Sequence, residues 1–311
     1  ILKDLGYDVL LSNRIFDSLL FWKYDILFSY FYRYSFFAAL LAKCFGKKTY
    51  FTGGIDSLDS DYASAFNYKI QALFFKLCYW VADSCIIVSQ SDLKNIFKVS
   101  SLKKKLSYSE HVINTKLFIA DVPKEKIFTS IVWMGDEGNV VRKGVDKALQ
   151  IFAELKKIPE FVDYRFVIIG RKGEGEVLVR SIIDKYNLKG SVELKGEVSE
   201  EDKINLLKQS KYYFQLSLYE GFGLAALEAL CANNIIIHSG KGGLANPIYK
   251  EQLLFDIDND FDSELLKLVN KLACFTPITS YDNLLEYYDI QRRKDDFEAI
   301  IVNGKSNYKL K

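Results

Sequence analysis

The sequence is poor in the residues that build metal sites and nucleophilic sites. It contains two histidines, His111 and His238, and five scattered cysteines, and none of these residues has the spacing of metal ligands. It also shows no nucleophile elbow and no Cys/His pairing. We therefore expect no bound metal, no resident cofactor, and cysteines that are buried free thiols in a reducing compartment.

The sequence also lacks a large excess of charge of one sign and a long uninterrupted apolar run. The net charge is only +2 over 311 residues, and no block of like charges resembles a nucleic-acid-binding tail. No signal peptide is recognisable, and the apolar stretch 26–45 is interrupted by Arg33 and several tyrosines, which argues against a membrane span. These features predict a cytoplasmic protein with no nucleic-acid partner.

Short apolar runs, each followed by a helical stretch, recur along the chain. Most are continuously hydrophobic, as strands buried on both faces are, and the helical stretches between them are amphipathic. The runs lie at residues 7–12, 25–29, 48–53, 84–89, 129–135, 165–170, 192–196, 212–217, 234–239 and 253–256. This pattern predicts an α/β fold with two doubly wound, parallel-sheet, Rossmann-like domains.

A polar segment between residues 88 and 128 separates the two groups of runs. We place the domains at residues 1–118 and 126–311, with a helix over residues 284–301 near the end. The first domain begins with a helix end instead of a strand and glycine loop, so we expect it to lack its first strand. Ligands bind at the carboxyl ends of strands in such sheets, which predicts a site in a cleft between two facing sheets.

The most informative stretch is a glycine-containing corner followed by a predicted helix. Gly221 and Gly223 form the corner, and Glu228 is the only formally charged residue between Gly221 and Gly240. A buried carboxylate costs several kcal/mol unless it is hydrogen-bonded, so Glu228 needs either a distant Lys or Arg or a hydroxyl-rich ligand. The corner favours the ligand, because backbone amides at Phe222 and Gly223 would form an anion site at the helix N-terminus.

Two other segments are candidates for the site. Lys143, with Arg142 before it, is predicted at a helix N-terminus, where a cation is misplaced unless it faces a phosphate. The alternative is a solvent-exposed lysine. Asp56 follows Gly53 and Gly54 at the end of a predicted strand and is a candidate base, and the alternative is an aspartate that caps the next helix.

Together these segments resemble the retaining GT-B glycosyltransferases of the family 4-like group 1, which includes sucrose synthase-like enzymes and mannosyltransferases. In that group two glutamates are separated by seven residues, as Glu220 and Glu228 are. Residues 142–144, 167–170 and 196–198 fit the same pattern in order. The resemblance implies a GT-B fold and a metal-independent, retaining transfer from a nucleotide-diphosphate sugar, such as a UDP-sugar, to a glycan or lipid-linked acceptor.

The resemblance also implies a role for each position. Glu228 would hold the ribose hydroxyls and Glu220 would contact the donor sugar. The diphosphate would be held by Lys143, Arg142, Gly221, Phe222 and Gly223, and the base would lie against Gly196 and Val198.

Other functions remain open at this point. Asp136 stands where the family usually has an arginine, and the first domain is predicted to be incomplete, so the alternative is a non-catalytic GT-B protein that acts as a binding partner or subunit. An epimerase or phosphorylase on the same fold is a third candidate. The aromatic residues crowded between Phe28 and Phe37 predict either a peripheral contact with the inner face of the membrane or core packing.

Overall fold

The computed structural model describes residues 1–53, 55, 58–119, 122–275 and 281–304. They divide into two units: Ile1–Val112 together with the residues from Ile290 onward, and Ile113–Asp289. Each unit is built on one parallel sheet flanked by helices. Among the helices of the described ranges, none is both long enough and apolar enough to cross a bilayer.

The first unit contains a four-stranded parallel sheet in which the strands follow one another in chain order, β1-β2-β3-β4. Phe51 and Cys85 point to one face of this sheet, where they share a core with the helices, whereas the alternate residues Tyr50 and Ile86 point to the other face. The strands are β1 Ile26–Ser29, β2 Lys48–Thr52, β3 Ser84–Ile87 and β4 Leu106–Tyr108. The helices are α1 Ile15–Ser18, α2 Tyr32–Cys44, α3 Ala65–Val81 and α4 Gln90–Val99.

The second unit contains a six-stranded parallel sheet in the order β10-β9-β8-β5-β6-β7. The direction of winding reverses between β5 and β8, so helices cover both faces of this sheet. The strands are β5 Glu125–Ile131, β6 Arg165–Ile169, β7 Val192–Gly196, β8 Ser210–Gln215, β9 Ile235–His238 and β10 Leu253–Leu254. The helices are α5 Glu137–Arg142, α6 Val145–Leu155, α7 Glu176–Lys185, α8 Glu200–Gln209, α9 Leu224–Cys231, α10 Phe261–Cys274 and α11 Tyr281–Tyr287.

The two faces of the second sheet have separate cores. Phe128 and Phe214 pack with α6, α7 and α10 on one face, and Tyr213 and Ile236 pack with α9 on the other. Strand residues are therefore buried on both sides, which explains the continuous hydrophobic runs in the sequence. The prediction of an α/β fold with two parallel-sheet domains is confirmed.

The last described segment packs on the first unit, although residues 126–311 were predicted to form one domain. Here α12, Ile290–Phe297, continues into a π-helix, Glu298–Val302. Phe297, Ile300 and Ile301 cover Tyr50 and Ile86 on the sheet face that α2–α4 leave open. The predicted helix over residues 284–301 is thus divided where the chain passes from one unit to the other.

The predicted strand at residues 7–12 does not form. These residues have no regular secondary structure, and the side chains of Leu10 and Leu11 are exposed. Within this run Tyr7 is the residue that packs against the core shared with Phe297. An apolar run without a strand partner cannot satisfy its backbone in a sheet, so its composition alone gave a wrong prediction.

Candidate active site

The carboxyl ends of β5, β8 and β9 meet at one edge of the second sheet, next to the point where its winding reverses. Lys143 comes after β5 in the chain. It is the C-cap residue of α5, and the next residue, Gly144, is the N-cap residue of α6. The helix predicted to begin at Lys143 is α6, which begins two residues later at Val145, and it is preceded by a short helix, α5, that was not predicted. The lysine lies at a junction between two helices.

Gly144 brings this junction against the loop that follows β8. Its φ is +68°, and a Cβ at this position would lie 2.0 Å from the carbonyl oxygen of Leu216. Two residues along the same loop, the amide of Leu218 donates a hydrogen bond of 2.8 Å to the carbonyl of Arg142. A side chain at residue 144 would separate the two segments, so glycine here determines how close Lys143 comes to the β8 loop.

Glu220 is the centre of the hydrogen bonds at this edge. The Lys143 Nζ lies 2.8 Å from its Oε2 and 3.0 Å from its Oε1. The hydroxyl of Ser217 and the side-chain amide of Gln215 also donate to Oε2, at 3.0 and 3.2 Å. The ion pair is largely shielded, since the side chains of Lys143 and Glu220 are 21% and 16% exposed. The carboxylate is therefore oriented by three donors before any ligand binds.

Gln215 and Ser217 were missed as site residues in the sequence. Gln215 is the last residue of β8 and follows the buried residues Tyr213 and Phe214. A polar residue that ends a buried parallel strand is a usable signal, because that end of the strand faces the ligand edge of the sheet.

The loop after β9 holds the backbone of Glu220 from the opposite side. The amide of Gly243 donates to the carbonyl of Glu220 at 2.5 Å. Gly242 has a φ of +58°, and a Cβ there would lie 2.2 Å from the same carbonyl oxygen. The loops after β5, β8 and β9 therefore touch backbone to backbone, with Glu220 in the middle.

Helix α9 begins directly after the glycine corner. Gly223 is its N-cap residue, while Phe222 is 5% exposed and packs its side chain into the core near Tyr288. The side chain of Phe222 is thus part of the core, and the predicted anion site would use only the main-chain amides of this corner.

Glu228, in the second turn of α9, has a lysine partner from a distant part of the chain. The Nζ of Lys203 in α8 lies 3.0 Å from Glu228 Oε1 and 2.8 Å from Glu200 Oε2. Burial raises the pKa of Glu228, although the hydrogen bond and charge of Lys203 oppose the shift. Burial alone would lower the pKa of Lys203, but Glu200 and Glu228 raise it. The sequence left either a distant lysine or arginine or a hydroxyl-rich ligand as the partner of Glu228, and in the structure a distant lysine, Lys203, pairs with it.

The other site residues predicted from the sequence are Arg142, Gly196, Val198 and Asp56. Arg142 donates from Nη2 to the Asn139 side chain at 2.6 Å, and Gly196 ends β7 at the same sheet edge as Lys143, with the Lys172 side chain over it. The side chain of Val198 packs against the core of the sheet. The candidate base Asp56 lies outside the described residues.

No group of three or more His, Cys, Asp or Glu side chains that could hold a metal ion occurs in the part of the chain that the structure describes. The chemical groups gathered at the edge are two carboxylates, two lysines and backbone amides. Lysine ammonium groups and backbone amides are suited to phosphate, and carboxylates are suited to hydroxyl groups.

Solved structures with similar folds define the class of protein. Anabaena HepE in complex with UDP aligns over 90% of this chain and 79% of its own, with a TM-score of 0.71 and 13% sequence identity. Sucrose-phosphate synthase from Thermosynechococcus elongatus aligns over 91% of this chain and 72% of its own, with a TM-score of 0.66 and 20% identity. The two parallel-sheet domains have the GT-B fold.

The sequence of the second unit is similar to a known family. Residues 138–272, which include Lys143, Glu220 and Glu228, match the family described as glycosyl transferases group 1. The similarity to this family is carried by that stretch of the chain.

Curated relatives match parts of the chain. GDP-mannose:cellobiosyl-diphosphopolyprenol alpha-mannosyltransferase of Xanthomonas oryzae is 32% identical over 163 residues, which cover 46% of this chain and 40% of that protein. One of the subunits of human phosphatidylinositol N-acetylglucosaminyltransferase is 30% identical over 105 residues, or 34% of this chain and 21% of that protein. Each of these two matches spans less than half of the relative.

Proposed function

We propose that the chain is a glycosyltransferase that moves a sugar from a nucleotide-diphosphate donor to a glycan or lipid-linked acceptor, and that the edge formed by the β5, β8 and β9 loops holds the donor. The observation that carries the proposal is the Lys143–Glu220 pair, at 2.8 Å, where the winding of the second sheet reverses. Open α/β sheets bind their ligands in the crevice at this kind of reversal.

The diphosphate is assigned to Lys143 and to the backbone amides of residues 221–223. The ammonium of Lys143 supplies a point charge, and the N-terminus of α9 supplies amide donors and the positive end of the helix dipole. Negative charge develops on the leaving diphosphate, so both groups stabilise it more strongly as the bond breaks. This arrangement needs no metal ion.

The donor sugar is assigned to Glu220. When Lys143 turns to the phosphate, Gln215 and Ser217 still hold Oε2 of Glu220 at 3.2 and 3.0 Å. The other oxygen of the carboxylate then becomes available to a sugar hydroxyl. Because a preoriented acceptor loses little entropy on binding, this carboxylate can position the sugar.

The ribose is assigned to Glu228, and the base to the main chain at Gly196 and Val198. Burial raises the pKa of Glu228, so its charge gains from additional hydrogen bonds such as those of two ribose hydroxyls. Arg142 is assigned to the phosphate region together with Lys143. Retention of the anomeric configuration is proposed from the likeness to the group, with attack and departure on one face of the sugar.

The names of the relatives support the acceptor class. The Xanthomonas relative is named for a cellobiosyl-diphosphopolyprenol acceptor, and the human relative for phosphatidylinositol. Both acceptors are carried by lipids, so we propose a lipid-linked acceptor for this chain. The first relative is named for GDP-mannose and the HepE structure contains UDP, so the donor base is left to experiment.

Thermal denaturation with UDP, GDP, ADP and their sugars tests donor binding. A nucleotide at a hundredfold excess over its Kd should stabilise the protein by about 2.7 kcal/mol. Lys143→Met and Glu228→Gln should each weaken the nucleotide that binds best by about tenfold or more, because each removes a charge-assisted contact. Lys157→Met is the matched control, since Lys157 also pairs with a glutamate, Glu154 at 2.7 Å, but follows the C-terminus of α6. If none of the nucleotides stabilises the protein, or if Lys143→Met and Lys157→Met bind nucleotide equally well, the assignment of the donor site is contradicted.

The ion pairs of the site also favour a second candidate, a non-catalytic binding partner or subunit. Glu220 and Glu228 are each satisfied by a lysine at 2.8 and 3.0 Å, so neither requires a ligand for its stability. Mass spectrometry of the donor after incubation with protein and lipid-linked acceptor separates the two candidates. Release of the nucleoside diphosphate by the chain, with turnover in Glu220→Ala reduced more than affinity, supports the enzyme; binding without turnover supports the alternative.

A further inference from the structure

Helix α3 of the first unit carries an exposed stripe in which apolar and basic residues alternate. Phe66, Lys69, Leu73, Lys76 and Trp80 are all exposed, and their spacing of three and four residues places them on one side of the helix. Phe66 and Trp80 are each 71% exposed. The stripe is about 21 Å long at 1.5 Å per residue, so a flat surface can contact all of it at once.

Helix α2, the neighbour of α3, also exposes aromatic and basic residues. It packs beside α3, and both helices contribute to one core through Phe36 and Phe75. On its outer side, Tyr34 and Phe37 are 66% and 68% exposed, and Arg33 is exposed beside them. We call the α3 stripe together with Arg33, Tyr34 and Phe37 the aromatic–basic face.

The charge of these two helices has only one sign. Neither Tyr32–Cys44 nor Ala65–Val81 contains an Asp or Glu, whereas Arg33, Lys69 and Lys76 are exposed on them. A second copy of the chain would bring like charges together across this face and would provide no acidic partner for the lysines. An anionic surface that also accepts apolar side chains is the complementary occupant.

We propose that the aromatic–basic face is a docking surface for an anionic lipid bilayer. Trp, Tyr and Phe side chains settle at the boundary between headgroups and acyl chains, and lysines extend their ammonium groups to the lipid phosphates. The proposal deepens the proposed function and rests on it only for the acceptor, because a lipid-linked acceptor lies in a membrane. Its physical basis lies in α2 and α3 of the first unit, whereas the proposed donor residues belong to the second unit.

Vesicle sedimentation tests the proposal. The protein should bind vesicles containing phosphatidylglycerol much more tightly than vesicles of phosphatidylcholine alone, and added salt should weaken the binding. Lys69→Glu with Lys76→Glu should lower the affinity by about tenfold or more, since each lysine near an anionic surface contributes about fivefold. Leu73→Ser with Trp80→Ser should lower binding to both kinds of vesicle.

The matched charge control lies in the second unit. Lys185→Glu with Lys250→Glu changes the net charge by the same amount at two exposed positions. Equal losses in the two lysine pairs would show attraction by net charge alone and would overturn the proposal. Association of the chain with itself or with a protein, without vesicle binding, would also overturn it.

Fluorescence locates the contact directly. In a protein with Trp22→Phe and Trp133→Phe, the remaining Trp80 should be quenched by lipids brominated in their acyl chains. Absence of quenching would overturn the proposal. Nucleotide stabilisation measured on the same variants separates the two proposals. Vesicle binding without stabilisation by any nucleotide would support the docking surface and contradict the donor assignment. Stabilisation by a nucleotide without vesicle binding would contradict the docking surface alone.

Discussion

The two units differ in how their loops use glycine. In the second unit, Gly144 and Gly242 have positive φ and lie against the backbone of the β8 loop, where a Cβ would come within 2.0 and 2.2 Å of a carbonyl oxygen. In the first unit, Gly6 and Gly46 also have positive φ, but nothing lies within 4 Å of a Cβ at either position. Gly6 and Gly46 thus serve turns, whereas Gly144 and Gly242 fix the distance between site loops.

Two helices of the first unit differ in charge from four helices of the second. Helices α2 and α3 carry no acidic residue, while α6, α7, α8 and α10 each carry both acidic and basic residues. Mixed charge suits a helix face in water, and a basic aromatic face suits an anionic boundary. Under the two proposals made above, ligand binding belongs to the loops of the second unit and membrane contact to α2 and α3 of the first.

The largest effect that separates the two kinds of glycine is expected for Gly144→Ala. The added methyl group would meet main-chain atoms that cannot move without separating the α5–α6 junction from the β8 loop. We expect a loss of about 4 kcal/mol in the free energy of unfolding, measured by urea denaturation with Trp133 as the probe of the second unit.

Gly46→Ala is the control for this substitution. It has the same sign of φ, +73°, without the close approach, so it should cost only about 1–2 kcal/mol. Similar costs for Gly46→Ala and Gly144→Ala would show that backbone strain alone, and not the contact between loops, decides the effect.

Each unit contains one histidine with a lowered pKa, and acid should act on both. Burial lowers the pKa of His111 in the first unit to about 3, with the nearby Arg293 adding to the shift. Burial lowers the pKa of His238 in the second unit to about 4, although its hydrogen bond to the Tyr249 carbonyl opposes the shift. Each histidine therefore stays neutral in the folded protein at a pH at which it is protonated in the unfolded chain.

Stability should fall as the pH decreases from about 6.5 toward 4, because only the unfolded state then takes up the proton. The loss through His238 should reach about 3 kcal/mol at pH 4, from a shift of about 2.5 in pKa. His238→Gln should flatten the pH dependence of unfolding seen by Trp133, and His111→Gln should flatten that seen by Trp80. If the pH dependence of the second unit keeps its slope in His238→Gln, another group controls its acid sensitivity.

Local sequence patterns predicted much of the fold. Strand β7 has the predicted bounds, residues 192–196, and its last residue is the glycine at which the run was predicted to end. The sequence also predicted that the segments holding Lys143 and Glu220 follow buried strands, and both come after the carboxyl ends of β5 and β8.

Contacts between distant parts of the chain could not be predicted in this way. The packing of Ile300 on Ile86 depends on the open face of a sheet formed about 200 residues earlier. The Lys203–Glu228 pair joins two helices on the same side of the sheet, and no local pattern distinguishes Lys203 from the other lysines of the chain. Sequence periodicity identifies elements, but the partners across elements follow from packing.

The smallest expected effect compares one lysine–carboxylate pair from each unit. Lys143–Glu220 and Lys43–Asp83 both have a distance of 2.8 Å, but the side chains of the first pair are 21% and 16% exposed and those of the second pair 41% and 34%. Double-mutant cycles with Lys→Met and with Glu→Gln or Asp→Asn should give a coupling of about 1–2 kcal/mol for the first pair and less than about 1 kcal/mol for the second.

Bound nucleotide should change the coupling of one of these two pairs and leave that of the other unchanged. If the diphosphate draws Lys143 away from Glu220, the coupling between Lys143 and Glu220 should decrease when the cycle is repeated with saturating UDP or GDP, whichever binds. The coupling between Lys43 and Asp83 should stay the same, because both residues lie in the first unit. A Lys143–Glu220 coupling that is unchanged by bound nucleotide would mean that Lys143 keeps its carboxylate partner, and the diphosphate would then have to be held by the amides of residues 221–223 and by Arg142 without it.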